Sequence, residues 1–162
     1  MSRVWKFGDN VNTDLIIPGR YLDNYDPAHL ARHAMEGASK DFAARVSTGD
    51  IIVAGANFGC GSSREQAVTA LRHAGVRAVV AKSFARIFYR NAVNLGLTVI
   101  ESPDAVDKLH EGDLVTLDGD RASLTAADGS QAARLEPIPP HLKRILDRGG
   151  LIPYIKEKLK SR

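Results

Sequence analysis

The segment Gly55-Ala-Asn-Phe-Gly-Cys-Gly-Ser-Ser-Arg-Glu-Gln66 brings together residue types that bind and act on small anions. It contains three glycines, two serines and an arginine: Gly55, Gly59, Gly61, Ser62, Ser63 and Arg64. Glycines let a backbone turn sharply and approach a ligand closely. The arginine guanidinium matches a carboxylate with two parallel hydrogen bonds. The serines stand where a helix should begin, and a helix N-terminus favours negative charge. We therefore expect an anion site with a serine that acts on the bound anion.

Two other interpretations of this segment compete with an anion site. Glycine-rich turns capped by serine are common, and Ser63 with Gln66 three residues later fits a capping box, so the segment could simply be a well-capped turn. A nucleotide-binding loop is disfavoured. The segment lacks the Gly-Lys-Ser/Thr ending of a P-loop, and Gly59-Cys-Gly61 is not followed by a third glycine at the dinucleotide spacing.

Length and composition are those of an ordinary globular protein with one sizeable core. The chain has 162 residues, of which 44% are apolar and 25% charged. The formal net charge is only +3 and the basic residues are scattered, so nucleic-acid binding is disfavoured.

Targeting signals and cysteine usage predict a cytoplasmic protein. No apolar stretch approaches the roughly 20 residues of a membrane span. The segment Met1-Ser-Arg-Val-Trp-Lys6 is charged at once, unlike a secretory signal. The single cysteine, Cys60, cannot form an internal disulfide, which fits a reducing compartment.

Apolar runs and helical patterns alternate through the first two thirds of the chain, which predicts an α/β fold. Strands are expected at residues 50–54, 76–81 and 97–100. The helices between them are expected to begin at Ser63 and Ser83 as N-caps and to end at Gly75 and Gly96. Short links of this kind favour parallel pairing, with ligands at the carboxyl ends of the strands.

The last third of the chain has a different character. Asp118-Gly119 and Asp128-Gly129 are turn signals that predict antiparallel hairpins, and a proline-rich link leads to a helical tail at about 141–162. We expect one domain over residues 1–162, with a mostly parallel sheet, flanking helices and an added β segment. A metal site is not predicted, because His29 and His33 share a helical i, i+4 spacing but nothing nearby in sequence completes a ligand set.

Four motifs in order along the chain resemble one family. They are Asp9-Asn-Val-Asn-Thr-Asp14, Ile17-Pro-Gly-Arg-Tyr-Leu22, Asn57-Phe-Gly-Cys-Gly-Ser-Ser-Arg-Glu65 and Ser83-Phe-Ala-Arg-Ile-Phe-Tyr-Arg-Asn91. The match that includes them covers nearly the whole length of the chain, and the chain looks like the small subunits of 3-isopropylmalate dehydratase. These subunits are the detached swivelling β/β/α domain of the aconitase superfamily.

The resemblance implies a hydro-lyase that isomerises 2- and 3-isopropylmalate in leucine biosynthesis, active only with a large subunit. That partner would hold a [4Fe–4S] cluster on three cysteines, whereas this chain has one cysteine and is expected to hold no metal itself. The resemblance maps the catalytic base onto Ser62. Ser63, Arg64 and Gly61 would bind the substrate, with Thr13 and Asp14 at the rim of the site. From spacing alone, an ordinary polar turn is an equal alternative for Thr13-Asp14.

The segment Arg20-Tyr-Leu-Asp-Asn24 corresponds to the loop that distinguishes substrates in this family, so Arg20, Tyr21, Leu22, Asp23 and Asn24 form the expected specificity loop. Isopropylmalate enzymes tend to carry apolar residues after Tyr-Leu, and homoaconitase carries an arginine. Asp23 and Asn24 depart from both patterns. Asp23 would repel an extra substrate carboxylate if it faced the site; alternatively, it caps the following Asp-Pro turn.

The sequence therefore predicts the small subunit of an isopropylmalate dehydratase-like enzyme. Its expected partners are a cluster-bearing large subunit and a small diacid, without nucleic acid or membrane; a homodimer of the isolated chain is left open. Dimethylmalate, citramalate and homoaconitate are alternative substrates. A non-catalytic anion-binding regulatory module is the alternative from another class.

Overall fold

One seven-stranded sheet runs through the molecule, seen in a computed structural model that describes residues 1–162. The strands are β1 (Ser2–Lys6), β2 (Ile51–Ala54), β3 (Ala78–Ala81), β4 (Thr98–Glu101), β5 (Leu114–Asp118), β6 (Ser123–Ala126) and β7 (Gln131–Arg134). The helices are α1 (Thr13–Ile16), α2 (Pro27–Ala31), α3 (Phe42–Arg45), α4 (Glu65–His73), α5 (Arg86–Asn94), α6 (Pro103–Lys108), α7 (Pro140–Asp147) and α8 (Leu151–Lys160). A single 3₁₀ turn covers Gly19–Tyr21. No helix has the length and apolarity that crossing a bilayer requires.

The strand order is β4-β3-β2-β1-β5-β6-β7, so the first strand of the chain lies at the centre of the sheet. β1 to β4 pair in parallel. The chain passes from β1 to β2 through α1, α2 and α3, from β2 to β3 through α4, and from β3 to β4 through α5. β5 to β7 continue the sheet from β1 in antiparallel hairpins. The predicted α/β class, with parallel strands, flanking helices and an added β segment, is confirmed.

The sheet separates two hydrophobic cores because side chains alternate along each strand. Ile52 and Ala54 of β2 face the larger core, which α4 and α5 cover, whereas Ile51 and Val53 face the smaller core beneath α6. All four are fully buried. Burial on both faces explains why β2 reads as an unbroken apolar run.

A buried carboxylate fastens the first strand to the second. Asp50, which is 4% exposed, accepts hydrogen bonds from the backbone N–H of Arg3 and of Ser47, at 3.1 and 2.9 Å, and from the Trp5 indole at 3.0 Å. A buried acceptor needs such partners, since a polar group left unpaired in the interior is destabilising. Asp50 thereby helps to set the register of β1 against β2.

Both predictions of a serine N-cap are wrong. α4 begins at Glu65 with Arg64 as its N-cap, and α5 begins at Arg86 with Ala85 as its N-cap; neither cap residue makes a side-chain capping bond. The Ser83 hydroxyl instead accepts a hydrogen bond from the backbone N–H of Asn57 at 2.8 Å. Ser63 likewise precedes the helix and does not form the expected capping box with Gln66.

The helical tail folds back onto α5 as two helices. Gly149 and Gly150, both with positive φ, separate α7 from α8. A Cβ on Gly96, at the end of α5, would lie only 2.4 Å from the carbonyl oxygen of Gly149. The close approach of these glycines lets the tail cover the helix that lies behind the site loop.

Candidate functional site

The loops that follow β1 and β2 run side by side beyond the carboxyl ends of the strands. The backbone N–H of Gly59 donates to the Val11 carbonyl at 2.7 Å, and that of Thr13 donates to the Cys60 carbonyl at 2.9 Å. These bonds make a short parallel bridge between Asn12 and Cys60. Two segments that are almost fifty residues apart in sequence therefore meet at one edge of the sheet, as expected for an open α/β fold.

Two glycines make this approach feasible. Gly59 has φ +81°, and a Cβ there would lie 2.2 Å from Cγ of Phe88 on α5. Gly61 has φ +100°, and a Cβ there would lie 3.3 Å from the Thr13 hydroxyl oxygen. Glycine suits both positions because it adopts positive φ without strain and leaves room for the neighbouring side chain.

The Ser62 hydroxyl lies at the exposed end of the loop, 3.3 Å from the Thr13 hydroxyl. Thr13 is only 3% exposed, so its hydroxyl is fixed by burial whereas that of Ser62 faces solvent. The backbone N–H groups of Gly61, Ser62 and Ser63 donate to no acceptor within the chain. Three successive free donors beside a hydroxyl form an arrangement suited to a carboxylate or an alkoxide.

Arg64 is the cation of the site. Its side chain is 22% exposed, and its Nη1 donates to Asp14 Oδ1 at 2.7 Å and to the Ile17 carbonyl at 3.3 Å. Nε and Nη2 have no acceptor within the chain, so they remain available to an incoming carboxylate. The hydrogen bond from Arg64 and the charge of its guanidinium hold the pKa of Asp14 below its ordinary value. Asp14 is therefore ionised at neutral pH and steadies the arginine.

The turn Gly19–Tyr21 borders this arginine. The Gly19 backbone N–H donates to Asp14 Oδ1 at 3.2 Å, and a Cβ on Gly19 would lie 3.8 Å from Arg64 Nη2. The predicted specificity loop thus begins beside Asp14 and Arg64. Leu22, further along the loop, is partly buried against the larger core.

Asp23 and Asn24 lie at the exposed part of the same loop. Asp23 makes no hydrogen bond or ion pair, and Asn24 Oδ1 accepts from the Asp26 backbone N–H at 3.0 Å. The alternative that Asp23 caps the Asp-Pro turn is wrong, because the N-cap of α2 is Asp26, whose side chain accepts from the His29 N–H. A preceding aspartate could not take this role, since the N-cap is the residue directly before Pro27.

The structure brings Thr13, Asp14, Gly61, Ser62 and Arg64 together at one edge of the sheet. Ser63 follows Ser62 on the exposed surface, and its side chain makes no hydrogen bond within the chain. No three histidine, cysteine, aspartate or glutamate side chains are grouped so that they could hold a metal ion.

Sequence reasoning missed Glu36. This residue contacts the loop at Arg20 and Tyr21, at 2.5 and 2.7 Å. Those partners lie fifteen and sixteen residues away in sequence, so no local motif joins them. The only local signal is the i, i+3 spacing to His33, which fits any polar helical turn.

Comparisons with known proteins show what the chain is similar to. A family model described as the aconitase C-terminal domain matches residues 32–105. The 3-isopropylmalate dehydratase small subunit of Syntrophus aciditrophicus is 52% identical over 97% of this chain and 96% of its own length. The same subunit of Nautilia profundicola is 53% identical over 99% and 96%. The crystal structure of 3-isopropylmalate dehydratase from Methanocaldococcus jannaschii superposes with a TM-score of 0.91, at 47% identity, over 97% of this chain and 93% of that one.

Proposed function

The chain belongs to the family of 3-isopropylmalate dehydratase small subunits, and on that premise we propose that it is the small subunit of a heteromeric hydro-lyase that interconverts 2- and 3-isopropylmalate. The observation that supports a direct role in the reaction is the pair of hydroxyls at Ser62 and Thr13, 3.3 Å apart beside three free backbone N–H groups. The arginine fork of Arg64 adjoins them, with Nε and Nη2 free.

In the proposed reaction, Arg64 and the free backbone donors hold a substrate carboxylate. Ser62 Oγ, as its alkoxide, takes the proton from the carbon next to that carboxylate. The hydroxyl on the neighbouring carbon accepts a proton from a general acid of the large subunit and leaves as water, and a double bond forms between the two carbons. Water then adds back with the two positions exchanged. A serine needs strong stabilisation to act as a base at neutral pH, and the Thr13 hydroxyl and the loop N–H groups are donors suited to an alkoxide.

The large subunit is proposed to bring a [4Fe–4S] cluster to this edge of the sheet. When bound, the cluster supplies Lewis-acid chemistry at the hydroxyl and carboxylate of the substrate. This chain contributes the base and the anion-binding donors. The exposure of Ser62 and Ser63 fits a half-site that a partner covers.

The side chain of the substrate depends on what the exposed part of the specificity loop contacts. Asp23 is exposed and has no partner within the chain, so it is free to meet a substrate group or the large subunit. Dimethylmalate, citramalate and homocitrate are therefore included with isopropylmalate in the test. The related citramalate and dimethylmalate lack the bulk of an isopropyl group.

The decisive experiment is co-expression with a cluster-bearing large subunit, anaerobic reconstitution of the cluster, and measurement of unsaturated-diacid absorbance for each acid. Turnover of isopropylmalate that requires both chains would support the proposal. Preference for another acid would correct the substrate. A stable, cluster-loaded complex without turnover of any of the four acids would contradict the proposal and favour a regulatory anion-binding module.

A further inference from the structure

Glu36 lies at the junction of three polar contacts that the proposed chemistry does not use. Its Oε1 accepts from the Tyr21 hydroxyl at 2.7 Å and from Arg20 Nη2 at 2.5 Å. Its Oε2 lies 2.6 Å from His33 Nδ1. The Glu36 side chain is only 23% exposed, so these contacts are partly shielded from water. One carboxylate therefore holds two consecutive residues of the Gly19–Tyr21 turn.

The backbone that carries Glu36 is itself fixed to the helix that carries Thr13 and Asp14. The N–H of Met35 donates to the Ile16 carbonyl at 2.7 Å, and the N–H of Gly37 donates to the Leu15 carbonyl at 3.1 Å. A Cβ on Gly37 would lie 2.6 Å from the Leu15 Cα, so the two backbones touch. The backbone on both sides of Glu36 is thus hydrogen-bonded to α1, the helix that carries Thr13 and Asp14.

Aromatic contacts add to the hold on the turn. The Tyr21 ring stacks on the His33 ring, with centroids 3.6 Å apart and planes 9° from parallel. The Arg20 guanidinium carbon lies 4.7 Å from the Tyr21 ring centroid. Partial burial acts to raise the pKa of Glu36, but hydrogen bonds from Tyr21, His33 and Arg20 outweigh it and lower the pKa, so the carboxylate is charged at neutral pH.

We infer that Glu36 is a positioning residue that holds the Gly19–Tyr21 turn against Arg64, and that selection among diacid substrates depends on this hold. The inference rests on the proposed function for its second half. Asp14 holds the start of the turn through the Gly19 N–H, and Glu36 holds the two side chains that follow. A substrate whose carboxylate sits on Arg64 would meet this turn with its remaining groups.

The first test measures the turn in the isolated full-length chain, without any activity. Hydrogen exchange of the backbone N–H groups at residues 19–24 should become about tenfold faster in Glu36→Gln, the factor that corresponds to losing one charge-assisted hydrogen bond. Exchange in α4 should not change. Asp41→Asn is the matched control, since Asp41 is an exposed carboxylate that pairs only with nearby Arg45 and Ser39. Unchanged exchange at 19–24 in the Glu36 variant would overturn the hold itself.

The second test measures substrate selection in the assembled enzyme. In Glu36→Gln and in Tyr21→Phe, the ratio of kcat/KM for isopropylmalate to that for citramalate should fall several-fold, mainly through KM. The double variant should be little worse than the more affected single variant, because both changes act on the Tyr21–Glu36 hydrogen bond. Tyr21→Phe keeps the aromatic stack and serves if Glu36→Gln does not fold.

The two proposals fail in different ways. A wild-type complex without turnover would contradict the proposed function, while faster exchange in the Glu36 variant would still support the hold on the turn. A wild-type complex that turns over, with Glu36 and Tyr21 variants of unchanged selectivity, would overturn the role in selection and leave the proposed function standing.

Discussion

Ser62 is more exposed than Thr13 and Arg64, although Gly61 and Ser63 on either side of it are exposed as well. Thr13, 3.3 Å away, is buried, and Arg64 is mostly covered, but the Ser62 hydroxyl is open to solvent. A side chain that serves packing would be covered by its own chain. The exposure of Ser62 leaves its hydroxyl accessible to a substrate, as its proposed role as the base requires.

Ser62→Ala should reduce kcat of the assembled enzyme by about two to four orders of magnitude, the usual contribution of a positioned general base. Substrate binding should fall far less, because Arg64 and the backbone donors remain. Single-turnover kinetics and equilibrium binding in the same preparation separate the two effects. Ser47→Ala, at an exposed serine whose hydroxyl makes no bond, is the control. Near-normal turnover in Ser62→Ala would remove Ser62 from the mechanism.

The Asp14–Arg64 ion pair should make the stability of the fold depend on pH. Because the hydrogen bond and charge of Arg64 lower the pKa of Asp14 in the folded chain, the pair contributes stability above the unfolded pKa of the carboxyl. That contribution is lost as the pH falls through the lower, folded value. Arg64→Ala should raise the pKa of Asp14 towards its ordinary value, as measured by NMR titration of the carboxyl carbon.

Asp104 provides an internal reference for that titration. The hydrogen bond from Lys108 also lowers its pKa, but Asp104 makes no contact with Arg64. Its titration should therefore be the same in both proteins. If the pKa values of both Asp14 and Asp104 shifted in Arg64→Ala, the cause would be a general change in the fold rather than the loss of one ion pair.

At the scale of elements, the sequence predicted the parallel strands and both hairpins because their signals are local. Apolar runs such as Ile51–Ala54 and turn pairs such as Asp118-Gly119 act within a few residues. The helix starts were predicted wrongly because a serine near a helix can bond elsewhere. The hydroxyl of Ser83 is taken by the N–H of Asn57, twenty-six residues earlier, and no local pattern reveals such a contact.

Gly59→Ala should test how tightly the site loop packs on α5. Besides the strain of φ +81°, its Cβ would overlap the Phe88 ring at 2.2 Å, so the loss of stability should exceed the roughly 1–2 kcal/mol expected for strain alone. Gly49→Ala is a matched control, with φ +99° and open space around the Cβ. Urea unfolding of both variants gives the comparison. Equal losses would mean that the loop yields freely to Phe88.

For the molecule as a whole, Asp50 joins β1 to the remainder of the parallel sheet. Asp50→Asn should lower the free energy of unfolding by about 2–4 kcal/mol, because an amide offers one acceptor oxygen and turns its NH₂ towards a donor. Activity per folded molecule should be preserved, since Asp50 lies at the opposite end of β2 from the site. Asp41→Asn, which changes an exposed carboxylate, should leave the free energy of unfolding almost unchanged.

The composition of the site was predictable from sequence, whereas its assembly was not. The residue types around Ser62 and Arg64 predict an anion site. The contact between Ser62 and Thr13, however, requires β1 to lie beside β2. The contacts of Glu36 require, in addition, the tether of Met35 and Gly37 to α1. Long-range backbone pairing of this kind depends on the whole sheet and leaves no mark at a single position.

The central place of β1 also has a consequence for folding during synthesis. Val4 of β1 pairs with Ile51 of β2, and Ser2 of β1 pairs with Val115 of β5. β1 is therefore synthesised well before either of the two strands that flank it. Contacts so distant along the chain slow folding, because a long loop must close before they form. While the ribosome adds the intervening residues, both edges of β1 lack their strands. We expect the nascent chain to need protection from aggregation until β5 has emerged, and the site to assemble with the sheet rather than before it.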